Sequence, residues 1–190
     1  MELVLIRHGE SEANGILRTE GGFYCGRWDC DLTARGRAQA EALKGSAALL
    51  GAGAVYASPL RRAVETAAAF AAREILLDER LTERTMGAFD GKRRAELETV
   101  PEYRKYFTEE PFTRFRCSFT VSAPGGETYA DVLRRVEPFL RDLKETGLGK
   151  AVVVSHHVAI RCMVMAVRDL TEEETLRLEV PNCEPIVLAL

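Results

Sequence analysis

Histidine is scarce in this chain, with three among 190 residues. Basic excess is lacking too: 26 Lys and Arg face 29 Asp and Glu, for a formal net charge of -3. That balance excludes a global field that would draw in nucleic acid, so an anion site must be built locally from a few arginines. No apolar run approaches the roughly 20 residues that span a bilayer, so no membrane partner is expected. The start, Met1-Glu2-Leu3-Val4, has no basic region ahead of an apolar stretch and does not read as a signal peptide. Cys-x-x-Cys spacing is missing as well. The five cysteines (Cys25, Cys30, Cys117, Cys162 and Cys183) are odd in number, and free thiols in a reducing cytoplasm are the expectation. Repeats and low-complexity tracts are absent. What remains is an ordinary globular composition, 46% hydrophobic and 29% charged, long enough for one domain over residues 1–190 with a sizeable core.

Apolar segments alternate with amphipathic ones. Leu3 to Ile6 reads as a strand buried on both faces. Arg7 to Asp31 is Gly-rich and reads as irregular. Thr33 is placed to cap a helix running to about Leu50, with Ala38, Ala42, Leu43, Ala47 and Leu50 inward. Ala54–Ala57 reads as a second strand, and Ser58-Pro59 opens a helix with Ser58 as N-cap and a buried stripe of Ala63, Ala67 and Phe70. Glu74 to Leu77 is a third strand, Glu127 to Thr146 an amphipathic helix, Ala151–Val154 a fourth strand, Val158 to Val167 a helix, and Ile186 to Leu190 an edge strand. Residues 87–126 lose periodicity and read as an insertion of short helices that forms a lid. The alternation predicts an α/β three-layer sandwich, a mostly parallel central sheet with helices on both faces.

Two of the three histidines follow strands: His8 after Leu3–Arg7, and His156 after Ala151–Ser155. Open α/β sheets place their sites at the carboxyl ends of strands. Arg7 beside His8 points to an anionic ligand, because a guanidinium forks onto phosphate or carboxylate. Gly9 permits close approach, and Asn14 can donate a side-chain hydrogen bond to an oxyanion. Arg61 and Arg62 open a helix, where the macrodipole disfavours them, so a functional use competes with two solvated surface arginines. Glu83 follows a strand and precedes Gly87 and Gly91; it is either a proton donor to a leaving oxygen or a solvated loop acid.

These blocks together resemble the histidine phosphatase superfamily, in its phosphoglycerate-mutase-like branch. Arg7-His8-Gly9-Glu10 with Asn14 looks like the family signature. Asp31 to Ala40, Ser58 to Ala67, Leu81 to Gly91, Pro124 to Thr128 and Val154 to His156 match its further blocks in order. The resemblance implies that His8 attacks phosphorus and forms a phosphohistidine. It implies that Arg7, Arg62 and His156 cradle the phosphoryl oxygens with Asn14 assisting, and that Glu83 protonates the leaving alkoxide and then activates water. Cys25, Gly26 and His157 would border the bound phosphate or substrate. No metal and no cofactor is implied. The partner would be a small phosphorylated metabolite, such as a sugar phosphate, a phosphoglycerate-type acid or the nucleotide-loop phosphate of cobalamin synthesis.

Departures from the family pattern bear on the reaction. His157 stands where the family usually has glycine, Cys25-Gly26 where mutases have a small hydroxylated residue and glycine, and Met86 where mutases have tyrosine. The last expected strand reaches Leu190, leaving no tail to close over a bisphosphoglycerate. These features favour hydrolysis over mutase transfer, because a mutase must shield its phosphoenzyme from water. The cofactor-dependent phosphoglycerate mutase is the alternative. Two other classes compete: a zinc hydrolase using His8, Glu10, His156 and His157, which sets a dication awkwardly beside two arginines, and a catalytically inactive binding module. The segment 103–116 carries Arg104, Lys105, Arg114 and Arg116 among aromatics; it either contacts a leaving group or packs the insertion, and Arg93 and Arg94 share that ambiguity. Specificity is expected from Gly15–Cys30 and from 87–126. A homodimer is compatible with the sequence, which does not decide it.

Overall fold

The computed structural model describes residues 1–19 and 22–190. Part of the Gly15–Cys30 specificity segment, residues 20 and 21, therefore lies outside the described residues. In chain order the elements are β1 (Glu2–Arg7), α1 (Glu12–Thr19), β2 (Phe23–Tyr24), α2 (Ala34–Glu41), β3 (Ala54–Ala57) and α3 (Arg61–Phe70). There follow β4 (Ile75–Leu77), β5 (Lys92–Arg93), α4 (Arg94–Glu98), α5 (Lys105–Thr108), α6 (Tyr129–Glu145), β6 (Lys150–Ser155), α7 (His157–Arg168), α8 (Glu172–Arg177) and β7 (Ile186–Ala189), with short 3-10 turns between them.

Five strands form one sheet in the order β4-β3-β6-β1-β7, parallel except for the antiparallel edge strand β7. The run Leu3-Val4-Leu5-Ile6 explains its two buried faces. Alternate side chains leave a strand on opposite sides. Leu3 and Leu5 join Val153 under α6 and α7, with Val132, Val136, Phe139 and Met163. Val4 and Ile6 join Val152 and Val154 under α3, with Ala63 and Ala67. Burying each such Leu, Ile or Val side chain contributes about 1.5–3 kcal/mol. This is the predicted three-layer α/β sandwich.

Several local expectations are corrected. The helix after Thr33 ends at Glu41, and a turn through Gly45 (φ 75°) carries the chain to a short 3-10 turn at Ala47–Leu49. Thr33 caps α2, accepting from Gly36 N at 3.0 Å. The buried stripe of this region is Gly36, Ala40 and Leu43, whereas Ala38, Ala42, Ala47 and Leu50 face solvent. Gly36 was invisible to a hydrophobic pattern, yet its bareness lets α2 touch β1's loop: a Cβ there would sit 1.9 Å from Glu10 O. Arg7–Asp31 is not irregular throughout, since it contains α1 and β2. Ser58 does not cap α3. The helix starts at Arg61 after an extended Leu60, and the Ser58 hydroxyl instead accepts from Leu60 N at 3.3 Å and meets His156 Nε2 at 2.7 Å.

The 87–126 segment has its own small core. Phe89 packs edge-on against Tyr103, Tyr106 and Phe115, and Tyr24 joins from β2, which pairs antiparallel with β5. The helix after it is fixed by Thr128 and Asp131, which cap each other's backbone.

Candidate active site

Three neighbouring parallel strands end side by side, and each hands its next residue to the site. β1 and β6 are in register through Arg7 and Ser155, and His8 N donates to Ser155 O at 3.0 Å. β3 ends beside β6, and Ser58 N donates to Val154 O at 3.0 Å. His8, His156 and Ser58 therefore converge. The two imidazoles lie 5.0 Å apart, tilted by 58°. His156 Nε2 meets the Ser58 hydroxyl at 2.7 Å.

His8 is locked in one tautomer. Its Nδ1 lies 2.7 Å from Gly9 O; a carbonyl only accepts, so Nδ1 carries the proton and Nε2 keeps a free lone pair. Burial, then the Arg62 and Arg7 charges, hold His8 well below the usual histidine value. It is therefore neutral and nucleophilic at physiological pH. The loop bearing it is pinned by Gly9 N to Thr66 Oγ1 at 3.0 Å and by Asn182 Nδ2 to His8 O at 2.6 Å. Gly9 must be glycine here, because a Cβ would meet Gly36 O at 2.4 Å. That contact is the physical content of the Asp31–Ala40 block: α2 braces the histidine loop through bare backbone.

The arginines are held from behind. Arg62 is 1% exposed, and its Nη1 and Nη2 donate to Trp28 O at 2.9 Å and Gly26 O at 3.0 Å. Arg7 Nη1 donates to Val180 O at 2.9 Å and faces His157 Nδ1 at 3.3 Å. Arg7 Nε, Arg62 Nε and His156 Nδ1 are buried donors or acceptors without a partner. Unpaired buried polar atoms are costly and call for an explanation, which an anionic ligand in the cavity supplies for the two arginines that line it. Arg61, by contrast, is exposed and pairs with Asp29 and Asp31, so the two adjacent arginines divide between site and surface.

Glu83 accepts from Arg84 N at 2.8 Å and from Val158 N, at the start of α7, at 3.3 Å. Its loop is tied to the sheet by Ser155 Oγ to Leu81 O at 2.7 Å. Glu127, in the Pro124–Thr128 block, fixes the same loop by accepting from Thr85 N at 3.0 Å and Arg135 Nε at 2.9 Å.

These groups open onto a cavity of about 300 Å³ lined by Arg7, His8, Asn14, Cys25, Gly26, Arg62, Glu83 and His157. Eight of the nine residues anticipated at the site are thus on its wall. His156 is not; it is fully buried behind His8. Asn14 Oδ1 accepts from Ser11 N at 3.2 Å, which leaves its amide free to donate. Gly26 (φ 46°) admits no side chain, since a Cβ would lie 1.6 Å from Asp90 Oδ1. His157 is pushed down to about 3 by burial, Arg7 and Arg161, and so faces Arg7 neutral. Sequence reasoning missed Ser58, Thr66, Ser11, Arg84 and Asn182. Only Ser58 carried a readable signal, its place just past a strand. Of the aromatic-basic segment 103–116, the aromatics pack the insertion and Arg116 alone reaches the cavity, with its guanidinium 5.3 Å over Tyr24. Glu10, required by a zinc reading, is turned to Thr33 Oγ1 at 2.9 Å and to Arg35. Among the described residues no three His, Cys, Asp or Glu side chains are grouped to hold a metal.

The profile of the histidine phosphatase superfamily (branch 1) matches residues 3–190. Phosphoserine phosphatase 1 of Hydrogenobacter thermophilus is 34% identical over 171 residues, covering 87% of this chain and 75% of its own. The 2,3-bisphosphoglycerate-dependent phosphoglycerate mutase of Mesorhizobium japonicum is 33% identical, covering 99% of this chain and 91% of its own. In structure, the phosphoserine phosphatase of Entamoeba histolytica in complex with 3-phosphoglyceric acid superposes with a TM-score of 0.73 at 26% identity, covering 98% of this chain and 89% of its own.

Proposed function

The chain belongs to the histidine phosphatase superfamily, and from that premise we propose that it is a phosphomonoesterase working through a phosphohistidine on His8. The observation that carries the reading is the pairing of a neutral, tautomer-locked His8 with two arginines whose buried Nε atoms lack partners. His8 Nε2 attacks phosphorus in line, and the phosphorus–oxygen bond to the leaving alkoxide breaks. Charge on the three equatorial oxygens is met in this reading by Arg7, Arg62 and the Asn14 amide, with His156 completing the cradle. Glu83 gives the alkoxide its proton, then takes one from the water that cleaves phosphohistidine and releases inorganic phosphate. The arginines supply the positive charge that such a step needs.

The substrate in this reading is a small phosphorylated metabolite, as the cavity size suits. Similar proteins named for phosphoserine and bound to 3-phosphoglyceric acid support that class. We read residues 1–190 as one domain with 87–126 inserted, located in the cytoplasm. No helix among the described residues is long and apolar enough to cross a membrane. A homodimer is compatible with this reading.

The test is phosphate release from p-nitrophenyl phosphate and a metabolite panel, with EDTA present, for the wild type and His8→Ala. Chelator-resistant release that vanishes in the variant supports the route; release that persists in the variant defeats it. The similarity to a phosphoglycerate mutase keeps a second reading. Interconversion of phosphoglycerates by the wild type, primed with the bisphosphate and without net phosphate release, would establish that reading instead.

A further inference from the structure

The cavity wall holds a second piece of chemistry that phosphoryl transfer does not use. Cys25 lines the cavity beside Arg7, Arg62 and Glu83, while Cys30 lies behind it in a small core with Ala13 and Phe23. Cys25 packs against that core, and its thiol donates to Trp28 O at 3.8 Å. The Arg62 charge is near Cys30 as well. The neighbouring Cys25 thiol outweighs burial and holds the Cys30 thiol below its usual value. Cys30 is thus drawn toward the thiolate, the form that reacts. The other three cysteines lie elsewhere.

The residues between the two cysteines matter. Gly26 O and Trp28 O are the carbonyls that hold Arg62. A bond between residues 25 and 30 closes that turn and re-aims both.

We propose that Cys25 and Cys30 form a peroxide-sensitive dithiol whose oxidation to a disulfide displaces the Arg62 cradle and switches the site off. A hydroperoxide is the oxidant, reaching Cys25 through the cavity. The Cys30 thiolate draws the proton from Cys25, the Cys25 sulfur so freed attacks a peroxide oxygen, the O–O bond breaks, and the departing hydroxide takes a proton to become water. The sulfenic acid so formed is attacked by the partner sulfur. The S–S bond forms, the S–O bond breaks, and a second water leaves with the thiol proton. Two thiols and one hydrogen peroxide give one disulfide and two waters, with two electrons passing from sulfur to peroxide. A reducing cytoplasm would reset it.

The cross-link stands independently of function, and the loss of rate rests on the phosphatase reading. Trypsin cuts after Arg27, between the two cysteines. The full chain is treated with stoichiometric hydrogen peroxide, blocked with N-ethylmaleimide and digested without reductant. The expected result is a linked peptide pair joining Cys25 to Cys30. Turnover of p-nitrophenyl phosphate and affinity for inorganic phosphate each fall roughly tenfold or more, as expected for a lost charge-stabilising donor, and both return with dithiothreitol. Cys30→Ser, or Cys25→Ser should the first fold poorly, forms no link and keeps its own untreated rate and phosphate affinity through peroxide. Separately blocked peptides at both cysteines overturn the proposal, as does a linked pair with unchanged phosphate affinity. A reduced wild type that binds phosphate but turns over no substrate would defeat the phosphatase reading and leave the cross-link standing.

Discussion

The floor of the cavity and its outer wall are built differently. The floor is the end of three strands, where His8, His156 and Arg62 are at most 4% exposed and each is held by backbone or a buried hydroxyl. The wall is the 87–126 insertion with β2, a cluster of aromatics that offers the cavity one exposed cation, Arg116, resting on the Tyr24 ring. A transition state whose charge must be met to within a fraction of an ångström needs the first kind of support. A leaving group that differs from enzyme to enzyme needs only the second, where loop changes leave the sheet untouched. Chemistry on the floor and selectivity on the wall is therefore the division to break.

The strongest attack on it is His8→Ala. The expected loss in kcat is at least about 10⁴-fold, the scale of removing a nucleophile that acts as a unit with its neighbours. Acid-quenched protein from labelled substrate should lose its phosphohistidine while the melting temperature stays near that of the wild type. A variant that retains labelled protein would move the nucleophile elsewhere.

Arg62→Lys comes next. A lysine keeps the charge but cannot reach Gly26 O, Trp28 O and the phosphate together, because it lacks the fork. The rate should fall by about 100- to 1000-fold for every substrate alike, p-nitrophenyl phosphate included. Substrate-dependent losses would show that the floor also selects.

Glu83→Gln should separate leaving groups. Alkyl phosphates, which need a proton, should slow by about 100-fold, and p-nitrophenyl phosphate by much less. Equal loss on both would deny Glu83 the role of acid.

The floor also leaves a trace in stability. His8 and His156 are held well below the usual histidine value of 6.5, chiefly by burial and then by Arg62. Below that value the unfolded chain takes protons that the folded chain refuses. Proton uptake by the unfolded state makes stability fall as pH drops. Urea midpoints should therefore decline from pH 7 to pH 5, before the carboxylates titrate, and His156→Asn should flatten the decline. A midpoint that rises toward pH 5 would mean that the histidines are charged in the fold.

The floor was largely legible in the sequence, and the wall was not. Strand runs followed by His8 and His156, and Arg62 placed against the macrodipole, each break a local rule for a reason that lies in the site. Ser58 shows the limit: Ser-Pro is the usual signature of a helix start, yet the helix begins at Arg61 and the Ser58 hydroxyl meets His156, a tertiary contact no local pattern records. The α2 face was misjudged because the deciding residue, Gly36, contributes no side chain to a hydrophobic pattern. In 87–126 the order comes from ring against ring between residues far apart in sequence, Tyr24 with Phe115 for instance, and no periodicity records such a contact. Placing His156 behind the cavity rather than on its wall likewise required its tilted 5.0 Å contact with His8 to be seen.

The smallest expected effect tests the wall itself. Arg116→Ala removes a cation that is exposed and rests on the Tyr24 ring. Solvent screens such a charge, so its loss should change kcat/KM by about fivefold or less. The change should lie in KM, and only for substrates whose leaving group is anionic, because a neutral leaving group gives the guanidinium nothing to hold. Combined with Arg62→Lys, the two losses should multiply, since the residues serve different ends of the substrate and share no hydrogen-bond partner. A double variant whose loss differs from that product by more than about twofold would mean that the insertion positions the phosphate as well as the leaving group. Floor and wall would then be one machine.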